Sequence, residues 1–460
     1  MKGKKFLSAL ALVLFTTTLV QGCQKRPEED IVVNKSEDGL DAAIGQKAED
    51  GMQMDAPERY EDSFETASGD ARVSVSAKLD IDEGTYAVVR VKPHEITSEE
   101  AEKWGAVCFE GLVAYEEPGE KSKTQIEQEF LNIKEILNIK EILADPAGME
   151  ANYGAGNVEM VSNDFEKQIE ELEEAYKTAP ESVAAKEVDW TFHPLSYYMG
   201  EGGDTAGMEK SSALEAYAYG LNGGTAEISV TNRDADDYSL NMMWFFYCDL
   251  AENMSGFAPV ELSEEEAIEV AEAMKTDLGL ENYEMCDVYD MKPQSGSYFT
   301  ISYAPVYEGT KSLIGLTIDN QADDLYASNL PYENLIFQVV NGKVYSIEWN
   351  SPMDTIAVEN DNVKIMGFEE AYEALKNQMI NGFSCASYYG EGVEMTNDVN
   401  VRISTIRLGM MRIKEKDNND EYLMVPAWSM YGYVDSSMTE EPLVVLNALD
   451  GSVINVDLGY

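Results

Sequence analysis

The chain has 460 residues, enough for about three domains of ~150 residues, each with a sizeable core. Its 44% apolar content is that of a globular protein and excludes wholesale disorder. Eighty-six Asp and Glu against 33 Lys and Arg leave a formal charge of −53, which repels phosphate backbones and so excludes a nucleic-acid partner; with only His94 and His193, sites built on several imidazoles are excluded as well.

Lys2, Lys4 and Lys5 open the chain, and an uncharged, mostly apolar stretch runs from Phe6 to Val20. That stretch is too short to span a bilayer as a helix and has the flanks of a secretory signal. Val20, Gly22 and Cys23 resemble the lipobox of bacterial lipoproteins. The resemblance implies a signal peptide over 1–22, cleavage before Cys23 and acylation of its thiol. The mature protein is then expected at the cell membrane, lipid-anchored on the extracytoplasmic face. No later stretch reaches the roughly 18 apolar residues a spanning helix needs. Cys108, Cys248, Cys286 and Cys385 each sit among apolar or aromatic neighbours, with no Cys-x-x-Cys pair, and read as small buried hydrophobes more readily than as disulfides.

Residues 23–70 are acidic, with apolar residues mostly single, and are expected to form a disordered tether. An N-terminal α+β domain is expected over 71–258. Val73, Val75, Ala77, Leu79 and Ile81 alternate as a strand with one buried face, and a turn at Asp82 to Gly84 pairs it in a hairpin with Thr85–Val91. Thr97 and Glu100 form a capping box that opens a helix. Two longer helices follow, Ser122–Ala144 and Asn163–Ala179, the second stopped by Pro180. The first contains a direct duplication, Leu131–Ile136 and Leu137–Ile142. Strands are expected at Ala213–Tyr219, Thr225–Asn232 and Tyr238–Leu250, with a turn at Asn222 and Gly223.

The C-terminal half repeats a pattern. Behind a capping box at Ser263 and Glu266, Ala267, Val270, Ala271, Met274 and Leu278 line one helix face, and Phe368, Ala371, Tyr372, Leu375 and Met379 repeat those offsets. Each helix precedes four strand-like segments: Tyr283–Met291, Ser297–Tyr307, Asn334–Val340 and Lys343–Trp349, then Val399–Lys414, Glu421–Tyr433, Leu443–Ala448 and Ser452–Leu458. The last pair in each closes on a hairpin signal, Asn341-Gly342 or Asp450-Gly451. The expected fold class is α+β: two tandem helix-plus-four-strand units, 259–360 and 361–460, whose antiparallel sheets are each covered by a helix.

Tyr422, Pro426 and Trp428, followed by Asn447, Ala448, Gly451 and Ile454, resemble the strand and hairpin of PepSY-type modules and of the extracytoplasmic domains of YycH/YycI-type regulators. The resemblance covers residues 366–460 and implies non-catalytic inhibitory or regulatory binding at the envelope. Cys23 to Glu28, Val32, Val33 and Lys35, with the whole layout, are similar to an uncharacterised lipoprotein family of Gram-positive gut anaerobes. From the residues themselves, Pro426 lacks an N–H and places its strand at an edge or bulge.

Acid-rich loops at Asp80–Gly84, Asp234–Asp237 and Asp417–Asp420 lack the EF-hand order and read as solvated turns, so no metal and no cofactor are expected. No nucleophile elbow, zinc-binding helix or phosphate loop appears, and no catalytic residue is nominated. Trp190, His193, Tyr197 and Trp428 are the candidates for a ligand groove, though packing of the loop and of the strand is the simpler account of them. The expected function is a non-enzymatic binding or regulatory module at the envelope, taking a protein, peptide or cell-wall partner. A divergent hydrolase using Asp and Glu, and a solute-capturing lipoprotein, are the alternatives.

Overall fold

Both capping boxes form as the sequence requires. Thr97 caps α2 (Ser98–Cys108) and Ser263 caps α3 (Glu264–Leu278), each with its third-residue glutamate reaching back. The computed structural model describes residues 39–49, 55–69, 71–82, 84–116, 121–124, 126–127, 167, 169, 171–194, 210–221, 224–232, 241–247, 259–293, 296–313, 332–383, 399–414, 421–435 and 440–455. The export signal, Cys23, the duplication over 131–142, the Asn222-Gly223 turn, Tyr197, Cys248, Cys385 and the loops at Asp234 and Asp417 lie outside them.

Two sheets carry the fold. The first has the strand order β1-β2-β14-β15-β3-β13, with β16 also on β15. These strands are β1 (Arg59–Glu65), β2 (Ala71–Ile81), β3 (Val88–Pro93), β13 (Met353–Asn360), β14 (Val399–Lys414), β15 (Tyr422–Val434) and β16 (Glu441–Asn447). The alternation of β2 is kept, its odd-numbered residues from Ala71 to Leu79 buried and the even ones out. Its expected hairpin with the next strand is not formed: β14 and β15 enter between β2 and β3. Nor is the sheet wholly antiparallel, because β2 and β14 run parallel from Ala71 and Val399 to Ile81 and Leu408.

The expected tether over 23–70 ends earlier than its composition suggests. β1 pairs with β2 along its length, from Arg59 opposite Lys78 to Glu65 opposite Arg72. α1 (Gly39–Ile44) buries Ala43, and Asn360 Nδ2 donates to the carbonyl of Ile44. The apolar residues are single because a strand needs them only at alternate positions. Tyr60 stands against Phe368 and Tyr372 at 5.2 and 4.3 Å between ring centroids. Those two rings belong to α4 (Phe368–Gly382), which buries the five side chains its spacing singles out. Its N-cap is Gly367, with no side-chain cap.

The second sheet runs β10-β9-β11-β12-β7-β6-β5-β4, with β8 on the other side of β9. Its strands are β4 (His193–Pro194), β5 (Ser212–Leu221), β6 (Gly224–Asn232), β7 (Met242–Tyr247), β8 (Tyr283–Asp290), β9 (Tyr298–Tyr307), β10 (Thr310–Lys311), β11 (Asn334–Val340) and β12 (Lys343–Asn350). α2 and α3 cover one face and enclose a core with Trp104, Phe245, Tyr303, Phe337 and Ile347. The boundaries expected at 258 and 360 do not divide the molecule. β5 to β7 join β8 to β12, while β2 and β3 join β14 to β16. Met242–Phe246 pairs with Ser346–Asn350, satisfying two backbone edges that would otherwise be open, a meeting that periodicity along one strand cannot reveal. The fourth strand expected after β16 is represented by one bridge, Leu446 with Val453.

The sheets meet where β10 turns onto β14. Leu313 N donates to the Met410 carbonyl and Tyr431 Oη to that of Leu313. Gly409 permits the approach, since a Cβ there would lie 2.7 Å from the Lys311 carbonyl oxygen. Pro426 lies on interior strand β15 rather than at an edge. On one side of β15, residues 422–424 pair with β3 and 427–432 with β16, so the missing N–H falls in the gap. No helix among the described residues is long and apolar enough to cross a membrane.

Candidate functional site

Of the proposed groove residues, Trp428 does not come together with Trp190 and His193. Trp428 is fully buried against Phe368, its Nε1 donating to the Met366 carbonyl. Trp190, at φ 54°, lies across α2 where Gly105 has no side chain; a Cβ there would fall 2.2 Å from the indole. His193 pairs with Ala213 at the sheet margin. Trp428 thus packs the first sheet's core, while Trp190 and His193 serve the second.

Two polar clusters clamp the seam between the sheets. His94 Nδ1 lies 2.8 Å from Asp354 and Nε2 3.0 Å from Glu100. The Glu100 hydrogen bond leads in pushing the imidazole up to about 9, against burial. Burial opposes ionisation of Glu100, yet His94 and the Thr97 donors hold it down to about 2. Deeper in, Glu333 accepts hydrogen bonds from the hydroxyls of Tyr283 and Tyr307, and Trp349 Nε1 donates to Tyr283 Oη at 2.6 Å. Burial pushes Glu333 up to about 7. Arg412, 4.7 Å from the Tyr332 ring and 5.0 Å from that of Tyr422, is the nearby cation. With two phenols as partners, Glu333 does not form the facing carboxylate pair of a glycosidase. Among the described residues no group of three His, Cys, Asp or Glu could hold a metal. Cys108 and Cys286 are free thiols, both raised by burial, Cys286 to about 11.

The second face of the second sheet lies opposite α2 and α3, half-buried at most positions and buried at Ser302 and Ser346. Its registers align one row as Glu215, Ser229, Trp244, Glu348, Ile336 and Ser302 on β5, β6, β7, β12, β11 and β9. The next row is Tyr217, Glu227, Phe246, Ser346, Gln338 and Thr300, and β8 extends the two with Asp287 and Tyr289. Seven strands at ~4.8 Å spacing make these rows about 29 Å long. Trp244 and Phe246 are half-buried, while Met243, Phe245 and Tyr247 between and beside them are in the core. Tyr289 is 56% exposed.

Hydrogen bonds fix the polar rims of these rings. Trp244 Nε1 donates to Asn350 Oδ1 at 3.0 Å and Tyr298 Oη to Gln338 Oε1 at 3.0 Å. Burial raises Glu348, which sits between Trp244 and Ile336. Burial, with the Glu348 charge behind it, also raises Tyr298. The arrangement offers flat aromatic surface interleaved with carboxylates, amides and hydroxyls, the mixture that orients polar ligands against apolar ones. The apolar run around Phe245 and Phe246 reads as core in the sequence; its period of two carried the signal that every second ring points away.

No family model matches the chain, and no curated protein matches it. By shape the chain is similar to an uncharacterised protein from Eubacterium rectale, a crystal structure at 1.45 Å. The TM-score is 0.44 and the identity 10%, over 91% of this chain and 99% of that one. It is also similar to the Bacillus megaterium YpeB C-terminal domain, with TM-score 0.25 and 9% identity, over 56% of this chain and 90% of that one. At these scores neither likeness carries an argument about the site.

Proposed function

We propose that this is a lipid-anchored, extracytoplasmic binding protein that holds an extended cell-wall polymer on the face of its second sheet opposite α2 and α3 and catalyses no reaction. The observation that carries the reading is the pair of seven-strand rows in which Trp244, Phe246, Tyr217 and Tyr289 alternate with carboxylates and amides. A flat face of this length suits a chain that lies across several strands, where a small solute would use an enclosed pocket. Clefts of about 40 and 230 Å³ occur among the described residues, the smaller with room for little more than water.

The anchor in this reading is the acylated Cys23, supported by its lipobox-like context. The two helix-plus-strand units are taken as tandem PepSY-like modules, supported by the motif at Tyr422, Pro426 and Trp428. Labelled palmitate should enter the wild-type chain and not Cys23→Ala, with the protein accessible at the surface of intact cells. Purified wall sacculi should sediment the protein. Cytosolic, unlabelled protein would overturn the anchor, and failure to bind sacculi would overturn the binding role.

A further inference from the structure

We infer that two copies of this chain pair through β13, antiparallel and about a two-fold axis at Ala357, joining their first sheets into one. β13 is the last strand of that sheet, with β3 on one side and no strand on the other among the described residues. Thr355 to Glu359 are all exposed. Ile356 and Val358, 41% and 42% exposed, are the large apolar residues that the strands of this sheet leave exposed; the others are buried or half-buried. Register with β3 shifts at Ile356 and at Glu359, which leaves these two without a partner residue on that strand. An open edge carrying exposed β-branched residues is a template for a further strand. Beyond Asn360 the edge is covered, with Lys47 bridged to Val363, so the open stretch is short.

Charge selects the occupant. Two chains of net charge −53 repel, so copies meet only where the surface is locally neutral. β13 meets that condition: Asp354 lies 2.8 Å from His94 Nδ1, and Glu359 lies 2.6 Å from Arg90 Nε. His94, raised to about 9 chiefly by its Glu100 hydrogen bond, is charged at neutral pH. A basic partner is drawn instead to the other edges. β8 exposes Glu284, Asp287 and Asp290, and Asp287 Oδ1 already takes the Val288 N–H; β1 exposes Glu61 and Glu65. The register about Ala357 matches itself. Ala357 faces its own copy, Ile356 faces Val358 of the partner subunit, and Thr355 faces Glu359 of the partner subunit, so no carboxylate meets a carboxylate. Thr355 to Glu359 is a small contact on each side, so the dimer is of the weak, reversible class. The pairing is independent of the wall-binding role.

The test is sedimentation velocity of the full chain in detergent, over a range of protein and salt concentrations, with oxidative cross-linking of added cysteines. The wild type should pass from monomer to dimer as its concentration rises. The dimer should tighten about threefold from low to high salt, as repulsion between the copies is screened. Ala357→Lys sets two ammonium groups across the axis and should weaken the dimer about tenfold with Tm unchanged. Ala357→Cys should form an intermolecular disulfide, because directly opposed residues hold their Cβ atoms about 4.5–5.5 Å apart, close to disulfide reach. Ser63→Cys, exposed on edge strand β1, should not, and the wild type with its buried Cys108 and half-buried Cys286 gives the baseline. A chain that stays monomeric at every concentration would overturn the pairing. So would a dimer that Ala357→Lys leaves intact, or one that cross-links through Ser63→Cys and not through Ala357→Cys. Association that weakens with salt would overturn it in favour of contact between oppositely charged surfaces.

Discussion

β15 and β7 are both nearly continuous apolar runs, yet they end in opposite situations. β15 is buried at almost every position from Tyr422 to Val434, with α4 over Trp428 on one side and Leu313 reaching Met410 and Tyr431 on the other. β7 alternates, its Met243, Phe245 and Tyr247 in the core and Trp244 and Phe246 only half-buried. Similar apolar runs thus mean packing on both faces in the first strand and a half-buried aromatic face in the second. Two half-buried rings among polar neighbours are the informative case, because burying them fully would otherwise stabilise the fold.

The sharpest way to break this comparison is to truncate one tryptophan from each strand. Trp428→Ala should cost about 3–5 kcal/mol in denaturant unfolding, the usual range for deleting a fully buried aromatic. Trp244→Ala should cost under ~1 kcal/mol. Equal losses would mean that both faces are core.

The seam that covers β15 gives the next effects. Glu333 ionises in the folded chain near pH 7 and in the unfolded chain near 4.5, so the unfolded state loses its proton first. Stability contributed by the neutral acid is full below 4.5 and falls as pH rises to 7, by roughly 3 kcal/mol. Glu333→Gln should flatten that slope in pH-dependent unfolding. Gly409→Val should cost about 1–3 kcal/mol by forcing the Lys311 carbonyl away, measured as a fall in Tm.

His94 gives a smaller effect of defined sign. Its folded value is raised to about 9 from 6.5, so its contribution is complete below pH 6.5 and disappears as pH climbs through 9. His94→Gln should lose roughly 1–2 kcal/mol at pH 6 and almost nothing at pH 10, read from unfolding at both values.

Local features were legible from the chain itself. Residue spacing located both capping boxes, the helix faces of α3 and α4 and most strand limits in the C-terminal half, because each depends on neighbours within a few positions. What escaped depends on distant edges meeting. Val399–Leu408 inserts beside β2 in parallel, and Met242–Phe246 closes on Ser346–Asn350. Tyr60 and Phe64 were hidden by acidic neighbours, although a strand needs only alternate apolar residues. The outward face was half visible: period two separates Trp244 and Phe246 from Phe245, but only sheet order shows that α2 and α3 take the other side.

Co-sedimentation with purified wall sacculi of the wild-type chain and of the double variant Trp244→Ala, Phe246→Ala, folded to the same extent, tests the binding face most directly. The wild type should pellet with the sacculi and the variant should stay in solution. Equal pelleting of the two would contradict the assignment of binding to this face.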